Sequence, residues 1–535
     1  MKKMTKVIAL VLSIMMLASA LCGCVEVDVK EAKVEGKYGE GEISYPIATE
    51  GEELEYYVWL AGEVAAHNVT SMNDIEFVKE LNKQTGINVR YTNPSSAQWD
   101  AQFDLLFTST ELPDIIQSNW RAFKEGGADG AIDAGYILDL TDLIPVYAPN
   151  FYKKLQEDPR LMAAATSPKG RLYSIGNVSH ELARGTYGLY LRKDWLDELG
   201  LSVPETIDEW YTVLKAFKEK GVKNPYSSAY SSFIDSNFFN NAWKVGKLGV
   251  ENGKVFYGPA SERYIDYIKT MRQWAAEGLI DPNMPATGTK TFNAAILNNE
   301  VGAAVGWLAS GLGTILRNGQ KQNPKFDLVA APIPVLNKGD RPINASRDIV
   351  KYGDCAAISA TSQNVELALR YLDYGYTEKG TELHSWGIEG VSFEKDADGK
   401  RKFTDLIVNH PDGLSIAQAL GRYSHAPWGA AWPSSSESYL EQLTLPQEKN
   451  AVKTWNEADD ITLPEIILSA EEQATYASVM TDIETHVKEV TTGVIFGTKD
   501  VSELENLSKK LYDMGLQTAL DQYQAAYDRF VKAMK

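Results

Sequence analysis

The chain has 535 residues, 44% of them hydrophobic and 23% charged, which is ample for a large core and too long for one small domain, so two or more lobes are expected. Asp and Glu number 72 against 53 Lys and Arg, a net charge of -19, which argues against nucleic acid because phosphate binding needs dense Lys and Arg. No long basic run offers a patch for anionic lipid, and 41 Gly with 21 Pro are ordinary counts for a globular chain.

Lys2, Lys3 and Lys6 precede an uncharged apolar run, Val7–Leu21. The run is shorter than the ~20 residues of a membrane span and fits a signal-peptide core. A buried hydrophobic helix is the competing reading, opposed by the leading lysines and the small residues at the end. Leu21-Cys22-Gly23-Cys24 resembles the bacterial lipobox, which implies cleavage before Cys24 and diacylglycerol on its sulfur, a second acyl chain completing a stable hold. Ordinary cleavage beside a chance cysteine is the alternative. Residues 1–23 are thus expected to be a lipoprotein signal peptide. The acidic, Gly-containing stretch over 24–53 shows no helical period and is expected to be a tether. Cys355 is the one thiol left in the mature chain, and its apolar setting (CAAISA) predicts a buried, inert side chain.

Leu54–Leu60 is aromatic and β-branched and predicts a strand. A helix is expected from about Asn73, with Ile75, Val78 and Leu81 on one face and Gly86 as its stop. Ile87–Thr92 alternates as a strand does, a helical region follows over Trp99–Ser109, and Pro113–Ile116 predicts a short buried strand. This β-α-β-α-β order predicts a parallel sheet with helices on both faces.

Arg171–Val178 and Thr186–Arg192 are further expected strands, followed by a short helix over Lys193–Leu199. Thr206-x-x-Glu209 has the form of a capping box opening a helix to about Lys220. Glu262–Gly278 is helical by its stripe of Ile265, Ile268, Met271 and Ala275. Val301–Trp307 and Phe326–Ala331 predict strands, and Val365–Tyr376 a helix. Ala470–Val487 and Val501–Met534 are expected helices, the second broken near Gly515. Strand–helix units recur on both sides of residue 180, which suits two α/β lobes with ligands at the carboxyl ends of the strands.

Several segments then resemble one family. They are ELPDIIQSNW (111–120), the block YGLYLRKDWLDELGLSVPETIDEWYTVLKAFK (187–218), WAAEGLIDP (274–282), FNAAILNNEVGAAVGWLASG (292–311), SQNVELALRYLDYGYTEKG (362–380) and GIEGVSF (387–393). In this order the chain is similar to the family-1 extracellular solute-binding proteins, the lipoprotein sugar receptors of ABC importers. The resemblance runs from about Glu55 to Lys400. It implies a periplasmic-binding-protein-like, type II, two-lobed Venus-flytrap fold with hinge crossings. On it we expect a first lobe from 54–180, a second from 181–332, a return to the first over 333–385, and a mainly second-lobe region over 386–535. The implied ligand is a carbohydrate and the implied partners are the permease subunits, with the membrane reached through the lipid anchor alone and the chain a monomer on the extracellular face.

Sugars present apolar C–H faces and a ring of hydroxyls, so aromatic rings beside Asn, Asp, Glu or Arg suit them. The 12 Trp and 27 Tyr of the chain favour an oligosaccharide over a monosaccharide. Candidate contacts, several of them just past expected strands, are Trp59, Asn119, Trp120, Tyr187 at the hinge crossing and Trp307, with Trp243 and Trp386 in loops. Trp195, Trp210 and Trp274 fall in helices and are expected to pack. Arg184, Arg347 and Asp348 flank the crossings, where an ion pair at the hinge is the expected use.

Catalytic and metal signatures fail one by one. His180-Glu181 begins a zinc motif, but residue 184 is Arg. No G-x-S-x-G or P-loop occurs, and Gly311-x-Gly313 lacks its third glycine. The skeleton of a calcium loop from Glu394 to Asp405 places Lys402 in a ligand slot and lacks a terminal bidentate Glu, so Asp398-Gly399 is better explained as a hairpin turn. Many relatives carry a calcium loop where this chain has EKGVKNPYSSAY, with no acidic cluster. No metal and no cofactor are expected. A surface glycan hydrolase and a receptor for a peptide or signalling molecule are the alternatives to a sugar receptor.

Overall fold

A computed structural model describes residues 31–47, 51–124, 126–178, 183–229, 238–344, 355–424, 431–460, 463–464 and 466–534. Two four-stranded sheets organise it. Their strands are β1 (Glu52–Tyr57), β2 (Ile87–Thr92), β3 (Ile115–Ser118), β4 (Tyr187–Arg192), β5 (Asn224–Tyr226), β6 (Val301–Trp307), β7 (Leu328–Ala330) and β8 (Cys355–Ile358). The first sheet runs β8-β3-β1-β2 and the second β7-β4-β6-β5. β1 lies parallel to β2 and β3, while β8 returns antiparallel to β3. In the second sheet β4 is antiparallel to both its neighbours, and β5 is parallel to β6. Each sheet anchors its own core, and the result is the two-lobed α/β fold of type II binding proteins.

Sequence patterning explains the elements well. In β2 burial alternates strictly, with Ile87, Val89 and Tyr91 inside. The helix Glu76–Thr85 buries Phe77, Val78 and Leu81 and stops at Gly86, whose φ of 75° suits a residue without Cβ. Thr206 and Glu209 form the reciprocal capping box, and the helix runs Ile207–Glu219. Trp195, Trp210 and Trp274 are buried packing residues. The helix Glu262–Ala276 buries Tyr264, Tyr267, Ile268, Met271 and Trp274, a stripe one step round from the expected one because its aromatics outcompete Ile265 and Ala275 for the core. Residues 171–178 form no continuous strand. Asn177–Val178 pairs with Trp432–Pro433, while Leu172 and Ile175 make single bridges to Thr166 and Ala356. Asp398-Gly399 does turn a hairpin, between Phe393–Lys395 and Arg401–Phe403. There the Asp396 carboxylate accepts from the Asp398 and Lys400 amides.

Two expectations about organisation need correction. Within the supposed tether, residues 31–47 are docked on the first lobe. The Ala32 and Lys33 amides donate to the Ala360 and Ser362 carbonyls at 3.0 Å, and the Ile47 amide to Thr85 at 2.8 Å. The Arg370 guanidinium donates to the Gly39 and Gly41 carbonyls, and the Tyr38 amide donates to Glu366. Tyr45 packs edge-on against Tyr374 and bonds the Arg370 carbonyl. This strap explains why all ten positions of the helix Val365–Tyr374 are buried, including Glu366, Arg370 and Asp373. An acidic, glycine-containing composition masked two anchoring tyrosines and a complementary polar helix face.

The second correction concerns residues 386–424, which pack on the first lobe, although Arg401 also pairs with Glu437. The Phe77 amide donates to the Arg422 carbonyl, Arg422 pairs with Glu76, and His67 bonds the Gln418 carbonyl. The C-terminal helix Leu516–Ala533 is shared. Leu516, Ala519 and Leu520 join the second-lobe core, while Phe530 joins the first.

Candidate functional site

Two aromatic surfaces stand at strand ends, one on each sheet. On the first lobe a cavity of about 250 Å³ is lined by Trp59, Ser96, Trp99, Ser118 and Asn119. Its position follows from the sheet. β1 and β3 are parallel, so the residues just past them, Trp59 and Asn119, emerge together. Ser118 lies opposite Cys355, the first residue of the returning strand β8. Cys355 is buried and in no disulfide, with its thiol against the Ser118 carbonyl. The helix Trp99–Leu106 forms the other wall. None of its residues is buried, although Trp99, Phe103 and Leu105 are apolar. Trp99 stacks on Phe103 with centroids 5.2 Å apart.

On the second lobe Trp307 closes β6 and faces Tyr187, the first residue of β4, in direct register. Their rings meet edge to face at 5.1 Å, and Phe238 packs on Tyr187 from behind at 5.5 Å. Trp307 remains 52% exposed, while Tyr187 is half-buried. This surface is rigidly backed. The Trp455 indole donates to the Leu189 and Ala331 carbonyls at 3.0 and 3.1 Å. It lies so close to Gly188 that a Cβ there would meet the ring at 2.5 Å. After Trp307 the chain makes a π-helical turn, Leu308–Gly313. Every residue named on the two surfaces is uncharged, so what they offer is stacking area and neutral hydrogen-bonding groups.

The structure brings together Trp59 and Asn119 on one surface and Tyr187 and Trp307 on the other. The other three candidate aromatics sit in cores. Trp120 is fully buried, donates to the Ile116 carbonyl at 3.2 Å and packs among Phe103, Phe107 and Phe123. It supports the exposed helix from beneath. Trp243 packs on Tyr267 at 5.4 Å in the second-lobe core. Trp386 is enclosed by Phe393 and Phe403 in the small core of residues 386–420. In each case the large ring gains more by burial among other aromatics than an open loop position suggested. Cys24, Arg347 and Asp348, and the side chain of Arg184, lie outside the described residues.

Trp99, Ser96 and Ser118 escaped sequence reasoning. A usable signal existed: Trp99, Phe103 and Phe107 recur at i, i+4 and i+8, with Asp100, Gln102 and Asp104 interleaved in the same helical stretch. Among the described residues no group of three or more His, Cys, Asp or Glu side chains is arranged to hold a metal ion. No described helix is long and apolar enough to cross a membrane.

Comparison with known proteins now bears on this geometry. The model of the family described as bacterial extracellular solute-binding protein matches residues 71–382. The fructooligosaccharide ABC transporter substrate-binding protein FusA of Streptococcus pneumoniae is 25% identical over 505 residues, covering 86% of this chain and 87% of that protein. Lipoprotein LipO of Bacillus subtilis is 24% identical over 364 residues, covering 65% of this chain and 69% of its own length. Among solved structures, an HMO-binding, ABC-transporter-associated solute-binding protein of Bifidobacterium longum infantis superposes with a TM-score of 0.71 at 18% identity, covering 90% of this chain and 99% of that one. FusA in complex with kestose gives 0.69 at 22% identity, with 90% and 100% covered.

Proposed function

Because the chain belongs to the bacterial extracellular solute-binding protein family, we propose that it captures an oligosaccharide between its lobes and delivers it to the permease of an ABC importer. The observation that carries this reading is Trp307, the most exposed of the large aromatics among the described residues. It is held by its register partner Tyr187 at the carboxyl end of a buried strand. Trp59 and Trp99 supply the corresponding rings on the first lobe, and Asn119, Ser96 and Ser118 supply hydroxyl partners. Apolar faces of a sugar stack on such rings while neutral polar groups bond its rim. The relatives' names support the ligand class, since FusA is a fructooligosaccharide-binding protein.

The mechanism is capture without chemistry. Ligand contacts from both lobes favour the closed state over the open one, and the closed shape is what the permease receives. We assign residues 54–178 and 355–424 to the first lobe and 187–344 and 436–520 to the second, with the chain a monomer. Cys24 carries the lipid that holds the protein at the outer face of the membrane. Titration calorimetry against kestose, maltotriose, xylotriose, an oligouronate and a peptide pool tests the reading. Binding to a saccharide, with no hydrolysis products by chromatography, supports it. Binding to peptides alone, or turnover of any glycan, refutes it. Mass spectrometry of the membrane-extracted protein checks the acyl chains on Cys24.

A further inference from the structure

Trp307 is followed at once by the π-helical turn Leu308–Gly313, which runs straight into the helix Thr314–Gln322. Leu308 and Leu312 are buried in one core with Tyr190 and Trp455, while Ala309 and Ser310 are exposed next to the indole. A turn of this kind departs from the regular helical ladder and needs support from its surroundings.

Gly313 shows what supplies that support. Its φ of -64° is one that any residue adopts, so its missing side chain serves clearance. A Cβ there would meet the Glu448 carboxylate at 1.8 Å and the Arg317 guanidinium at 2.8 Å. Glu448 belongs to the helix Pro446–Asn456, and its side chain is fully buried. Arg317, one turn beyond Gly313, donates to its two oxygens at 2.9 and 3.1 Å, and the Leu445 amide donates to it at 3.1 Å. The same helix reaches the other ring of the surface. Its Trp455 lies under Gly188, next to Tyr187, and its Asn456 accepts from the Gly185 amide at 3.1 Å. One helix thus underlies both members of the Tyr187–Trp307 pair.

A buried ion pair gains little net stability over apolar side chains of the same volume. What it supplies is a single geometry, because the planar guanidinium fits both carboxylate oxygens at once. We propose that Glu448, through Arg317, is a positioning residue for saccharide binding: the pair pins the turn Leu308–Gly313 and so holds Trp307 in one orientation against Tyr187 before a ligand arrives. This rests on the function proposed above. A ring set in advance loses less freedom when the sugar stacks on it.

The test uses the full chain labelled with fluorotryptophan, in which the fluorine resonance lost in Trp307→Phe reports that ring alone. Glu448→Gln keeps the side-chain volume and removes the charge, and Arg317→Met removes the partner from the more exposed side. Gln447→Ala is the comparison, since Gln447 lies on the same helix but bonds Asp327 beside β7. In Glu448→Gln and Arg317→Met the Trp307 resonance is expected to shift or broaden without ligand. Kd for whichever of kestose, maltotriose or xylotriose the wild type binds best is expected to rise about 3- to 10-fold, the size of one aromatic contact's geometry. Gln447→Ala is expected to move neither. A Trp307 resonance unmoved in either test variant overturns the proposal without reference to any sugar. An equal shift in Gln447→Ala does so too, since any disturbance of the helix would then suffice. A moved resonance with Kd unchanged also overturns it, while leaving the sugar reading intact. A wild type that binds none of the saccharides overturns both.

Discussion

Replacing Trp307 by Ala separates a binding ring from a structural one. The side chain presents roughly 200 Å² when fully free, and 52% exposure leaves about 100 Å² for a ligand to cover. At about 25 cal/mol per Å² that area corresponds to roughly 2.5 kcal/mol, or about 70-fold in Kd. The buried half of the ring covers a similar area, and its edge meets Tyr187, so folding is expected to lose about 2–3 kcal/mol. Titration calorimetry with the best saccharide, paired with denaturant unfolding, therefore reads the binding loss and the folding loss separately. Trp307→Phe keeps a smaller stacking face and is expected between the two. A Kd within threefold of wild type would refute the argument. So would a stability loss above about 3 kcal/mol, the range of a core aromatic.

The complementary case is Trp120→Ala, which removes a fully buried ring and its hydrogen bond to Ile116. It is expected to cost about 3–5 kcal/mol in urea unfolding, and a cost under 1 kcal/mol would contradict its place in the core. Gly188→Ala drives a methyl into the Trp455 indole. A loss of about 1–3 kcal/mol is expected, visible as a lower Tm and a changed tryptophan emission. Asp373 is buried under the strap, and desolvation pushes its carboxyl up to about 6, against hydrogen bonds from the Phe151 amide and Asn150. The folded protein then keeps this proton between about pH 4 and 6, where the unfolded chain has lost it. Stability from this group falls as pH rises through that window and levels off above it, by up to about 3 kcal/mol. Unfolding of wild type and Asp373→Asn across pH 4–7 should show the wild type losing stability relative to the variant on going up, and a constant difference would refute it.

Local patterning carried most of the fold into view. β6, the helix Lys193–Leu199 and the Thr206 capping box are set by short-range rules, and they sit where those rules place them. Trp307 was legible for the same reason: a run of small buried residues delivers it to a loop. Trp120 was not, since a tryptophan beside an asparagine after a strand has the same sequence whether it turns outward or inward. Only packing against Phe103, Phe107 and Phe123 decides it. The strap was hidden for a related reason, because its partners lie more than three hundred residues away on a helix whose charged positions suggest solvent.

On the anchor proposed at Cys24, the strap would set a standoff height. Six residues, 25–30, lie in the sequence between that cysteine and the point where the chain is pinned. A stretch of six residues reaches at most roughly 20 Å. The lobe bearing the strap would then be moored low, like a hull on a short line. A receptor moored so closely would search a thin layer and not a volume, which would raise its local concentration around any transporter embedded beside it.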